Sequence, residues 1–252
     1  KEQRPTHMAV VFDLDGKTKR AEIYPQYKAN RPPPPEDLVP QFSLARDAAR
    51  ALNLPVLELS GYEADDIIAT LTKQAVDKGW DVVVVSGDKD LMQLVADGKV
   101  RFYDGMKDAW FDEAAVQAKW GVPPKLVGDL LALTGDSSDN IPGVKGVGEK
   151  TAAKLLTEHG TLDAVMAAAP NVKQPKLREN LLASGELVKL SRTLVQLDEA
   201  VPLDVGPEDL VVPALDVHKA RAFCQELELF SVLKELPAPP PAASRVGVTV
   251  VQ

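Results

Sequence analysis

Four short apolar runs rich in β-branched residues, Met8–Phe12, Val56–Leu59, Val82–Val85 and Val100–Tyr103, limit what this chain can become. Each is strand-length and none could span a bilayer as a helix. Between them lie helical patterns at Leu38–Leu52, Ala64–Lys78 and Lys89–Val95; the second carries Ile67, Ile68, Leu71 and Ala75 as its apolar positions. Strand-length runs alternating with helices predict an α/β fold, a mostly parallel sheet flanked by helices. After Tyr103 the pattern changes, and Asp112–Lys119, Pro124–Leu133, Glu149–His159, Leu162–Ala168, Leu177–Leu187 and Val217–Leu227 all read as helices. The expected division is therefore an α/β core over 1–125 and a helical region over 126–236. Pro237–Ala243 reads as a stiff linker. Val246–Val251 alternates like a first strand, so 237–252 is expected to lead into a following domain of a longer polypeptide.

With 45% hydrophobic and 26% charged residues, the 252-residue chain has enough apolar material for a substantial core. One cysteine, Cys224, excludes an internal disulfide and is expected to be a buried, idle thiol. No signal or transit pattern opens the sequence, and a cytoplasmic location is expected. A net charge of -8 argues at first against a nucleic-acid partner. The distribution argues otherwise. Lys1, Arg4, Lys17, Lys19, Arg20, Lys28 and Arg31 outnumber the acids of the first 31 residues, and Lys145, Lys150 and Lys154 have only Glu149 among them.

Ligands of parallel α/β sheets bind beyond the carboxyl ends of strands, and three acidic sets fall there. Asp13, with Asp15, follows the first run. Glu63, Asp65 and Asp66 follow the second, and Asp88 and Asp90 the third. A fourth set, Asp136 and Asp139, lies in the Gly135–Ile141 turn. Carboxylates with few histidines or cysteines select hard cations, Mg²⁺ or Mn²⁺, and so many converging acids suit two ions. Local explanations stand beside this one. Acids at 63–66 complement a helix N-terminus, Asp88 suits an N-cap, and Asp136 and Asp139 suit a turn.

Two motifs invite other readings. Phe12-Asp13-Leu14-Asp15-Gly16 looks like the nucleophile motif of haloacid dehalogenase-type phosphatases, but Lys17 stands where those enzymes place Thr or Val. The segment from Gly143 to Thr151 echoes a P-loop, but Glu149 separates glycine from lysine and no strand precedes it. The segment fits better as a helix-turn-helix hairpin against a phosphate backbone. Gly143, Gly146 and Gly148, with Val144 and Val147 between them, expose backbone N–H groups at the start of a helix. Lys145, Lys150 and Lys154 supply charge. Such contacts hold a duplex without reading its sequence.

Tyr62-Glu-Ala-Asp-Asp66, Gly87-Asp-Lys-Asp90 and the run from Leu133 to Thr151 closely resemble the 5′-nuclease domain of bacterial DNA polymerase I. Val11-Phe12-Asp13 and Tyr27-Lys28-Ala29-Asn30-Arg31-Pro32 resemble it in the same order, and the match runs from about Arg4 to Leu236. The resemblance implies a PIN/5′-nuclease-like α/β fold followed by a helix-hairpin-helix-type DNA-binding region. It implies that Asp13, Glu63, Asp65 and Asp66 help build one Mg²⁺ site and Asp88, Asp90, Asp136 and Asp139 another, some through water. Lys28 and Arg31 would stand at the base of the arch that passes the 5′ strand. The hairpin, with Thr151 at its helix, would bind downstream duplex, often with a K⁺ ion. The implied activity is 5′→3′ exonuclease and flap endonuclease cleavage of nicked, flapped or 5′-overhang duplex DNA during replication and repair. A monomer associated with the nucleoid is implied, with a polymerase domain in the same natural polypeptide. Asp13, Lys28, Arg31, Glu63, Asp65 and Asp88 would carry the catalysis. The family also has a strand with a Val-Asp-Gly aspartate, expected ahead of the first run and not among these residues, and usually has Phe-Arg where this chain has Lys19-Arg20. The rival expectation is a DNA-binding module without catalysis.

Overall fold

The computed structural model describes residues 4–239, and in it the first two apolar runs form strands of only two residues, while the third and fourth form strands of full length. β1 (Val10–Val11) is followed by the helices α1 (Lys19–Ile23) and α2 (Val39–Ala51); β2 (Val56–Leu57) leads into α3 (Ala64–Asp77). β3 (Val82–Val85), a 3₁₀ helix (Lys89–Leu94), β4 (Val100–Asp104) and β5 (Ala109–Phe111) come next. The remaining α-helices among the described residues are α4 (Glu113–Trp120), α5 (Val127–Thr134), α6 (Glu149–His159), α7 (Leu162–Ala168), α8 (Pro175–Ala183), α9 (Gly185–Val195), α10 (Val217–Glu226) and α11 (Phe230–Glu235). Lys1, the last part of the Pro/Ala stretch and the run Val246–Val251 lie outside the described residues.

The sheet departs from expectation in its extent. β3 and β4 are parallel, pairing Val82 with Val100 through Val85 with Tyr103, and β5 adds an antiparallel edge that pairs Phe111 with Phe102. β1 and β2 form a separate two-stranded pair. Its ladder is confined to bonds such as Val10 N–H to Pro55 O and Phe12 N–H to Leu57 O, both 2.9 Å, and Pro55 has no N–H with which to extend it. The segment expected as one helix at Leu177–Leu187 is two, because α8 stops at Ser184 and Gly185 begins α9. Lys89–Leu94 is a 3₁₀ helix rather than an α-helix.

The described chain forms two compact units, one of residues up to 10, 34–56 and from 210 on, the other of 11–33 and 57–209. In the first, α10 packs on α2 and α11 and buries Ala49, Ala51, Ala220 and Cys224. The second holds a continuous core from Val84 and Phe102 of the sheet to Leu156, Leu181 and Leu194 of the helices. At its centre is α5, packed against α6, α7, α9 and the 3₁₀ helix. Val127, Leu130, Leu131, Ala132 and Leu133 are all buried, as befits a helix apolar over most of its surface, with Asp129 its one charged residue. No described helix is long and apolar enough to cross a membrane.

The turn after α5 is held rigidly. Asp136 and Ile141 exchange backbone hydrogen bonds of 2.9 and 2.8 Å, and Val144 N–H donates to Leu133 O at 2.8 Å. Gly143 is required here because a Cβ would sit 2.1 Å from Thr134 O and 2.5 Å from Gly135 N. Gly148 has nothing within 4 Å. Gly143→Ala is expected to destabilise the fold by about 1–3 kcal/mol through overpacking, and Gly148→Ala by about 1 kcal/mol or less through its N-cap. Urea unfolding of both variants checks the order.

Candidate active site

Each acidic set sits at the boundary of an element, and local bonds fix it there. Asp13 follows β1, and its Oδ1 accepts the N–H of Ala64 at 2.7 Å, fastening the strand end to the first turn of α3. Glu63 is the N-cap of α3, with Asp65 and Asp66 in its first turn. Asp88 caps the 3₁₀ helix by accepting Asp90 N–H at 2.9 Å. Asp136 accepts Ser138 N–H at 2.7 Å and the Ser138 hydroxyl in the turn after α5. The capping and turn roles are thus real, and they aim the carboxylates. Asp15 is exposed.

The electrostatics report which acids face one another. Burial, then the charges of Asp88, Asp13 and Glu63, push Asp65 up to about 7. Burial, then the charges of Asp88, Asp136 and Asp139 against a lowering effect of Lys89, push Asp90 up to about 7. Asp88 is common to both groups. Asp90 Oδ1 is buried with no hydrogen-bond partner. These are the properties of a cleft in which negative charge is in excess, and the oxygen donor set suits Mg²⁺ or Mn²⁺. No three His, Cys, Asp or Glu side chains among the described residues are close enough to hold a metal as they stand. Hard ions of this kind need few direct carboxylates and keep several waters.

Cations already lean into the cleft. Lys28 Nζ bonds Glu63 Oε1 and lies 3.8 Å from Asp139, Arg31 pairs with Asp139, and Lys89 Nζ lies 3.0 Å from Asp136 Oδ2. Lys28 has a left-handed φ of 56° and donates its N–H to Asp139 O at 2.9 Å, so its turn is fixed against the Asp139 turn. Sequence reasoning missed Tyr27. Its buried hydroxyl lies 2.9 Å from Glu63 Oε2 and 3.0 Å from Asp139 Oδ2. Burial and the charges of Glu63 and Asp139 hold the phenol far above its usual value. Lys89 was missed too, although its position between Asp88 and Asp90 marks it.

Asp66 departs from the expected ligand set. Oδ1 accepts Arg20 Nη2 at 2.7 Å and Asp198 N–H at 2.9 Å; Oδ2 accepts Arg20 Nη1 at 2.6 Å and Glu63 N–H at 3.3 Å. All four lone-pair directions of the carboxylate are used. Burial opposes its ionisation, but the bonds and charge of Arg20 outweigh it and hold the carboxyl below the usual range.

The glycine hairpin lies in the same compact unit. Val144 and Val147 are buried, while Lys145, Gly146, Gly148, Lys150 and Lys154 are exposed and Thr151 half-buried. Gly146 has φ +78°, Asn180 Nδ2 donates to Lys145 O at 2.7 Å, and the Ser191 hydroxyl donates to Pro142 O at 2.6 Å. A cavity of about 630 Å³ is lined by Lys89, Thr134, Asp136, Ser137, Lys150 and Thr151.

Residues 1–121 match the 5′-3′ exonuclease N-terminal resolvase-like domain, and residues 122–218 the 5′-3′ exonuclease C-terminal SAM fold. The chain is 39% identical over 236 residues to a 5′-3′ exonuclease of Aquifex aeolicus, covering 94% of this chain and 80% of that protein. It is 50% identical over 232 residues to DNA polymerase I of Rhizobium leguminosarum, covering 92% of this chain and 23% of that protein. The chain thus spans about a quarter of the length of such polymerase relatives. The bacteriophage T5 D15 flap endonuclease, solved with DNA and metal ions, matches with a TM-score of 0.67 at 26% identity, over 90% of this chain and 81% of that one. A resolvase-like N-terminal domain followed by a C-terminal helical domain is the arrangement that these family descriptions give. This chain belongs to the 5′-3′ exonuclease family.

The raised carboxylates make stability depend on pH with a definite sign. Between about pH 4, where aspartate ionises in the unfolded chain, and about pH 7, the folded state holds more protons at Asp65 and Asp90. These two groups therefore cost stability as pH rises through that window, and the loss is complete above it. Thermal melts without metal should show this loss, Asp90→Asn should reduce it, and Mg²⁺ should raise Tm more at pH 8 than at pH 5. An equal Mg²⁺ effect at both pH values contradicts the assignment.

Proposed function

We propose that the chain is the nuclease part of a DNA polymerase I and hydrolyses one phosphodiester bond near a single-strand/duplex junction in nicked, flapped or 5′-overhang DNA. The observation that carries this is the crowding of Asp13, Glu63, Asp65, Asp88, Asp90, Asp136 and Asp139, with Asp65 and Asp90 both pushed up to about 7. Asp13, Glu63 and Asp65 would hold one Mg²⁺ and Asp90, Asp136 and Asp139 the other, with Asp88 serving both; Mn²⁺ would substitute. When bound, the ions supply an activated water and stabilisation of the leaving oxygen. Lys28 and Arg31 then orient and neutralise the scissile phosphate, a form of electrostatic stabilisation. The hairpin Gly143–Gly148, with Lys145, Lys150, Thr151 and Lys154, grips the duplex backbone, and its backbone carbonyls would hold a K⁺ ion. Specificity comes from the shape and bendability of the junction. The functional division falls near residue 125, and the working form is a cytoplasmic, nucleoid-associated monomer with its polymerase domain in the same polypeptide.

The test is cleavage of a labelled flap with Mg²⁺ and with chelator. Asp88→Ala or Asp139→Ala should abolish cleavage and leave DNA affinity nearly intact; normal cutting by either variant rejects the ligand assignment. An intact protein that binds junctions and never cuts them supports a DNA-binding module instead.

Lys150→Ala reports on the hairpin separately. It should lower the salt slope of log K by about 0.9 for every duplex sequence alike. An unaltered slope removes Lys150 from the interface.

A further inference from the structure

Arg20 is buried, and its five N–H groups meet five acceptors. Nε donates to Leu194 O at 2.8 Å, Nη2 to Gln196 O at 2.8 Å and to Asp66 Oδ1 at 2.7 Å, and Nη1 to Asp66 Oδ2 at 2.6 Å and to Glu63 Oε2 at 3.0 Å. A guanidinium has no more donors than these, so this one has nothing left for a phosphate. Its bond to Glu63 takes the Oε2 side, and Oε1 is the oxygen met by Lys28 in the cleft. The two carbonyls it grips lie at and just beyond the end of α9, whose Ser191 holds Pro142 at the foot of the hairpin.

We infer that Arg20 is a positioning residue for the nuclease reaction: anchored by Asp66 and by the end of α9, it fixes which oxygen of Glu63 faces the cleft. Asp66 belongs to this clamp and not to the metal ligands. The clamp also ties Glu63 mechanically to the helix that seats the hairpin. Lysine cannot replace it, since a single ammonium lacks the planar fork that holds Asp66 through two bonds while reaching Glu63. The inference rests on the proposed metal role of Glu63.

The test is Mn²⁺ binding alone to the full chain, followed by electron paramagnetic resonance, with flap cleavage measured in parallel. Arg20→Lys should weaken Mn²⁺ binding about 10–100-fold, the usual effect of losing a partner that orients a ligand, with the number of ions unchanged. Its kcat should fall at fixed Mn²⁺ and recover as Mn²⁺ is raised, with KM for DNA unchanged. Asp66→Asn, which keeps volume and an acceptor for Arg20, should also retain the wild-type number of ions, while Asp65→Asn loses one. Loss of an ion in Asp66→Asn makes Asp66 a ligand and overturns the inference. So does an Arg20→Lys protein of normal Mn²⁺ affinity, whether KM rises, as for a phosphate contact, or only Tm falls, as for a structural bond. If Arg20→Lys does not fold, Asp66→Asn decides alone. A wild-type chain that binds no Mn²⁺ fails at the metal reading itself.

Discussion

Repulsion among carboxylates forced into one partly dry cleft is the constraint the rest of the molecule answers to. Asp65 and Asp90 are each pushed up to about 7 by burial and by neighbouring acids, and such crowding persists only where surrounding structure enforces it. Three cations, Lys28, Arg31 and Lys89, lean against Glu63, Asp139 and Asp136 and offset part of the repulsion. Under the proposed function, the same three would meet a phosphate entering the cleft. Charge balance and the proposed function thus draw on one set of side chains.

The enforcement comes from the core. α5 is buried over most of its surface and surrounded by helices, so the turn beyond it, with Asp136 and Asp139, inherits its rigidity. Gly143 then presses the start of the hairpin against Thr134 in a contact that no side chain would permit. On the other side of the cleft, strand ends and the first turn of α3 hold Asp13, Glu63 and Asp65. A carboxylate held by backbone geometry on both flanks cannot relax outward, and this explains why the repulsion survives.

Much of this is legible in the sequence for a simple reason: acids placed just after β-branched runs must emerge at strand ends. Asp13 and Asp88 declare themselves that way, Asp65 and Asp90 by opening the helices that follow such runs, and the glycines of the hairpin by their spacing. The mostly parallel sheet is legible in kind but not in extent, because pairing between Met8–Phe12 and Val56–Leu59 depends on Pro55 and on partners remote in sequence. β5 is three residues long, too short for alternation to declare itself. Arg20 reads as one basic residue among several, since its partners lie 43 to 176 residues away. Asp66 adjoins Asp65, and adjacency in sequence conceals that a first-turn helix position turns one carboxylate to the cleft and the other to Arg20. Only the side-chain geometry separates them.

The proposed function requires that one cleft, framed by Asp65, Asp88, Asp90 and Asp139, take up divalent cations. Titrating a few per cent of Mn²⁺ into isotope-labelled protein and following amide signals by nuclear magnetic resonance tests it directly, because paramagnetic broadening falls off steeply with distance from the ion. The amides of 63–66, 86–90 and 136–139 should broaden first and together, and excess Mg²⁺ should restore them. Broadening that begins at exposed acids elsewhere, such as Asp204 or Asp216, while these signals persist would contradict the account.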